Sequence, residues 1–144
     1  MTLTAILERL KEATEGSREL DVRVNMAMDR PERIIVQDAS DERVAALVEV
    51  FTLDHEDGSS STSSMADQWG IPRYTSSIDA ALSLVERCLP GWLYAAGKGP
   101  GGLGNCVLGP ADVSRNSPLI QDVNAPTAPL AILTALVTAR KEQQ

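Results

Sequence analysis

The stretch YAAGKGPGGLGN, Tyr94 to Asn105, admits two readings with different consequences. Gly97, Gly99 and Gly102 fall at the Gly-x-Gly-x-x-Gly spacing of a dinucleotide-binding loop. Such a loop works because a strand delivers the glycines to a helix N-terminus, whose free N–H groups and dipole meet the pyrophosphate. The residues that follow, LGNCVLGPADV, place Gly104, Gly109 and Pro110 where that helix would have to run. The Gly-Lys-Ser/Thr of a phosphate loop is also missing, since Lys98 is followed by Gly99. WLYAA (Trp92 to Ala96) before the glycines and NCVLG (Asn105 to Gly109) after them both read as strands. The stretch is therefore expected to turn a β-hairpin, not to hold a nucleotide.

Helices flank this hairpin in the sequence. Upstream, PRYTSSIDAALSLVERCLPGW places Ser76 as an N-cap with Asp79 at the third helical position. Ile78, Leu82, Val85 and Leu89 form its apolar stripe, and Pro90-Gly91 stops it. Downstream, Thr127 and Pro129 open a helix that runs to about Lys141. Leu130, Ile132, Leu133, Leu136 and Val137 make it apolar on most sides, which predicts a helix packed between other elements. At the other end, Leu3, Ile6, Leu7 and Leu10 mark one helix. A second, capped by Ser17 after Gly16, carries Leu20, Val24, Ala27 and Met28 and closes at Pro31. RIIVQ (Arg33 to Gln37) reads as a strand. Residues 40–51 fit either a helix or a strand, and Ser40, Asp41 and Glu42 favour the helix. The Ser-rich run near 54–66 offers no apolar face to bury and is expected to be a mobile surface loop.

A chain of 144 residues suits one domain and buries roughly 70% of its unfolded surface, so it needs no metal or disulfide to fold. Its net charge, 13 − 20 = −7, makes it an acidic protein, and argues against nucleic acid and anionic membrane as partners. MTLTAILERLKEATEG carries charges within its apolar pattern and does not read as a signal peptide. With Cys88 and Cys106 too far apart for a CxxC clip, a cytoplasmic protein with reduced cysteines is expected. His55, the single histidine, sits in DHED, where adjacent ligands in a Ser-rich loop have no fixed geometry for a metal. The G-x-S-x-G elbow of a serine hydrolase is absent. No catalytic residue, metal ligand or cofactor is assigned. Among the few aromatics, Trp92 has the core as its expected home. Trp69, Arg73 and Tyr74 cluster around Gly70 and Pro72, and could either lid the core or receive a small planar anionic ligand. Trp69, Arg73, Tyr74 and Trp92 are thus the candidate ligand-binding residues.

ILERLKEATEGSRELD, PRYTSSIDAALSLV, Gly91-Trp92 and the terminal APTAPLAILTALVTARK together resemble the phage ABA-sandwich domain family, small proteins of bacteriophage and prophage genomes. The resemblance covers about half of the chain, and its strongest piece is Tyr74 to Ala81 followed by Gly91-Trp92. It implies an α+β fold: a single-domain α-β-α sandwich over residues 1–144, with a small, mainly antiparallel sheet between helices. It implies a bacteriophage or prophage origin and the host bacterial cytoplasm as location. It implies no activity. The leading expectation is a non-enzymatic binding module for a host protein or a small anionic ligand, with a homodimer through the C-terminal helix as one assembly. The alternatives are a small-molecule, nucleotide-like enzyme using the Trp69–Tyr74 region with Asp54 to Asp57 as a metal site, and a virion-associated structural part.

Overall fold

The computed structural model describes residues 3–28, 41–112 and 119–143. In chain order these form α1 (Leu3–Glu12), α2 (Arg18–Met28), α3 (Asp41–Val48), β1 (Phe51–Asp54), β2 (Ser60–Ser63), α4 (Met65–Gln68), α5 (Ile78–Cys88), β3 (Trp92–Lys98), β4 (Gly104–Pro110), β5 (Gln121–Ala125) and α6 (Ala128–Glu142). The α+β class and the antiparallel pairing expected from the sequence are both present, as two small sheets, β1-β2 and β3-β4-β5. The strand expected at Arg33 to Gln37, the Ser40 cap and the Pro31 stop lie outside the described residues.

The hairpin reading of Tyr94 to Asn105 holds. β3 and β4 pair from Trp92↔Pro110 to Lys98↔Gly104, and the Gly99 N–H donates to the Leu103 carbonyl at 2.6 Å to close the loop. Gly101 and Gly102 take φ of 75° and 79°, a region that side chains disfavour, so this turn requires glycine. The amino end of α6 does come up against this hairpin, but offers an anion little. Thr127 Oγ1 caps the Leu130 N–H at 3.4 Å, Pro129 has no N–H, and a Cβ at Gly104 would lie only 2.2 Å from the Ala128 nitrogen. Strand backbone abuts the first turn of α6 at Gly104, and beside that contact lies a cavity of about 300 Å³ lined by Ile78, Gly97, Lys98, Gly102, Thr127 and Pro129.

α6 is the middle of the molecule. Leu130, Ile132, Leu133, Leu136 and Val137 are all fully buried, and the helix packs on β4 and β5 on one side and on α1 and α5 on the other. Among the described residues the layers therefore run sheet, α6, then α1 with α5. The expected sheet between helices is thus corrected for the described residues: α6 packs on one face of the three-stranded sheet and is itself the central layer. This also removes the dimer route expected through the C-terminal helix, because α6 has no apolar face left to offer a second copy.

α5 departs from its expected phase. Its N-cap is Ser77, whose hydroxyl accepts from the Ala80 N–H at 3.2 Å, because the Ser76 N–H is held in a turn by the Arg73 carbonyl. The buried face is Ala81, Leu84 and Val85, continued by Leu89, while Ile78 is exposed. α2 is buried more widely than its single stripe suggests. Leu20 and Val24 join the main core, and Val22 and Met26 enter a second cluster with Val44, Leu47, Ala66 and Ile71. Residues 41–48 are helical as favoured, but Phe51 begins β1. The Ser-rich run is corrected from a mobile loop to a hairpin. Phe51 to Asp54 pairs with Ser60 to Ser63, Gly58 turns the chain with φ of 85°, and Ser64 caps α4. β2 needs no apolar face because its support is the main-chain ladder to β1.

Candidate functional site on the open sheet face

Cross-strand partners share a face of a sheet, so the register sorts the side chains of β3, β4 and β5. Tyr94, Cys106, Leu108 and Val123 belong to the side that carries α6. Leu93, Ala95, Val107, Gly109 and Asp122 belong to the other. That outer side is apolar where an exposed sheet face is normally polar. Leu93 is 65% exposed and Val107 37%. Leu93, Ala95, Val107, Pro110 and Ile120 line a groove of about 300 Å³, open to solvent. Ile120 leans over Gly109, where a Cβ would come within 2.9 Å of its Cγ1. The rim is polar and acidic: Asn105 Nδ2 donates to Asp122 Oδ1 at 3.0 Å and to Asn124 Oδ1 at 3.1 Å.

The four residues singled out from the sequence do not line this groove. Tyr74 is fully buried, with its hydroxyl 3.3 Å from the Arg87 guanidinium, so no ligand reaches it in the folded chain. Arg73 is exposed and paired with Asp67 at 3.3 Å. Trp69 caps the C-terminus of α4 and is 38% exposed. Trp92 is half-buried and packs against the main core from the α6 side of β3. What holds the Trp69–Tyr74 segment is a buried polar strut. Asp21 Oδ1 accepts from the Thr75 N–H at 2.7 Å and lies 2.6 Å from Thr75 Oγ1, while Arg18 bridges Asp21 Oδ2 (2.9 Å) and Asp67 Oδ1 (2.7 Å). Gly16 lets the backbones meet here, since a Cβ would sit 2.3 Å from the Thr75 carbonyl oxygen.

Elsewhere most polar groups pair locally, while the buried Asn25 amide and Thr134 hydroxyl have no hydrogen-bond partner among the described residues. His55 Nε2 lies 2.9 Å from Ser61 Oγ on the exposed hairpin, and Asp57 accepts from Ser59 instead of orienting that imidazole. Arg9, Glu19, Arg23 and Asp41 alternate in sign along one wall, and the Arg23 guanidinium holds the Asp41 carboxyl below its ordinary value. Among the described residues no group of three His, Cys, Asp or Glu side chains is placed to hold a metal, and no helix is long and apolar enough to cross a membrane. Burial pushes the Cys106 thiol up to about 11, with Asp122 adding to the shift. The thiol is the form that persists when a pKa is raised, so Cys106 carries almost no thiolate at neutral pH. Alkylation at pH 8 is expected to modify Cys106 only at the rate of unfolding, a rate that peptide mapping after timed labelling measures.

The chain matches no protein-family model, no curated protein and no solved structure. The outer groove was missed in the sequence, although a signal for it existed. Leu93 and Val107 make strands apolar at outward as well as inward positions, which a sheet with one solvated face does not require.

Proposed function

We propose that this chain is a non-enzymatic binding protein, of bacteriophage or prophage origin and acting in the host bacterial cytoplasm, which holds a host protein on the open face of its three-stranded sheet. The observation that carries this reading is the groove of Leu93, Val107, Pro110 and Ile120, solvent-open and without a reactive group. A contiguous exposed apolar patch rimmed by polar side chains marks interaction surfaces. A groove this open and this small suits an inserted side chain of a partner better than an enclosed metabolite. The acidic rim at Asp122 and the net charge of −7 favour a basic partner, which such a surface attracts at long range. The sequence resemblance supports the phage origin.

Val107→Lys tests the reading, because it puts a charge at the centre of the groove opposite Asp122 and keeps an exposed position exposed. Stability is expected to change by less than about 1 kcal/mol. Native mass spectrometry of the protein recovered from infected or lysogenic cells is expected to show a bound host chain for the parent protein and its loss in Val107→Lys. A bare monomer from the parent protein, or a host chain retained by the variant, refutes the groove as the binding surface.

A further inference from the structure

Among the described residues β3 is an edge of its sheet, and its outer side carries no strand. The antiparallel ladder alternates, and the Gly99-to-Leu103 bond sets its phase. Leu93, Ala95 and Gly97 exchange main-chain bonds with β4. Trp92, Tyr94, Ala96 and Lys98 turn theirs to the open edge. Pro110, which has no N–H to give, sits opposite Trp92 in agreement with this phase. The Trp92 N–H is taken by the Leu89 carbonyl at 3.2 Å, which leaves the main chains of Tyr94 to Lys98 as the open template. Leu93 to Ala96 are exposed in succession, so both faces of the strand are accessible at this edge. Unprotected edges of this kind pair with other strands, and charge is the usual defence. β3 has a single charged residue, Lys98 at its end.

We propose that a second copy of this chain docks antiparallel along β3, with Ala95 against Ala95 across a two-fold axis, to merge two three-stranded sheets into one. The sequence WLYAAGK is self-complementary in this register. Leu93 faces Gly97 of the second copy, Tyr94 faces Ala96, and Trp92 faces Lys98, so each bulky side chain of the first half meets a small or flexible one of the second. All of β3 is used, and Tyr94 and Ala96, whose groups point outward, become the hydrogen-bonded pair. Charge complementarity supports a copy as the occupant. The Tyr94 hydroxyl donates to Glu86 Oε1 on α5 at 2.6 Å, which marks the place of an exposed carboxylate beside the α6-facing side of β3. Lys98 of the second copy arrives on that same side, diagonal to Tyr94, and the two-fold makes the contact twice. The pairing is made by the main chain at the edge of the sheet, and Leu93 and Ala95 belong both to this edge and to the groove, so the mass of the protein alone, with no host chain present, tests it apart from the binding role.

Sedimentation equilibrium over a range of concentrations tests the pairing, with a mass of twice 15.4 kDa expected to accumulate as concentration rises. Ala95→Lys places two ammonium groups on the two-fold at an exposed position, and is expected to weaken the dimer roughly tenfold. Glu86→Lys and Lys98→Glu are each expected to weaken it, and their combination to restore it. A monomer at every concentration overturns the proposal. So does a dimer indifferent to Ala95→Lys, or one whose charge reversals show no mutual rescue, since either places the contact elsewhere.

Discussion

Asp21→Ala is expected to lower the free energy of unfolding by about 3–4 kcal/mol, among the largest losses available to one substitution here. The carboxylate is 1% exposed and serves three donors: the Thr75 N–H, the Thr75 hydroxyl and Arg18. Alanine leaves a buried main-chain N–H with no acceptor and removes one of the two carboxylates that hold the Arg18 guanidinium. Asp67 and the carbonyls of Ile71 and Pro72 still serve Arg18, which keeps the loss below that of a fully orphaned charge. Asp21→Asn keeps one acceptor oxygen and is expected to cost about half as much. Urea denaturation followed by circular dichroism measures both. A loss below about 1 kcal/mol for Asp21→Ala would mean that the strut is dispensable.

Gly104→Ala is the second. A Cβ there would lie 2.2 Å from the Ala128 nitrogen and 2.2 Å from the Thr127 carbonyl carbon, and both neighbours are backbone, with no flexible end to swing away. The sheet and the first turn of α6 must separate, at a cost of about 2–3 kcal/mol. Gly97→Ala, seven residues away in the same hairpin, meets nothing within 4 Å and is expected to be neutral or slightly stabilising, by up to about 0.5 kcal/mol. The contrast separates steric collision from any general effect of shortening the glycine run. Equal effects at the two positions would remove the close-approach account.

The difference between Gly104 and Gly97 also shows where sequence reading stops. The 92–110 hairpin, the Thr127 cap and the all-round burial of α6 could be read directly, because each is written in adjacent residues or in a local period. Asp21 and Thr75 are 54 positions apart, and nothing in either neighbourhood announces the other. The α5 cap lies at Ser77, not Ser76, and Ile78 at the first helical position is outside because the helix turns its Ala81, Leu84 and Val85 face to the core, a choice made by distant packing. β5 escaped notice because Asp122 and Asn124 fill its outward positions with poor strand formers, while its inward Val123 and Ala125 are only partly buried. The groove was hidden for a different reason. Outward Leu93 and Val107 look like ordinary strand residues until the register shows which face lacks a helix.

The central position of α6 has a kinetic consequence. Residues 128–142 give one wall to a sheet formed by 92–125 and the opposite wall to a helix formed by 3–12, so the helical layer closes only after a loop of more than a hundred residues has been gathered in. Closure at that separation gives up chain entropy before much apolar surface is hidden, which places the ordering of α1 late and makes folding slow for a protein of this size. Until then the inner stripe of α1 stays wet, and the chain is at its stickiest before α6 has docked.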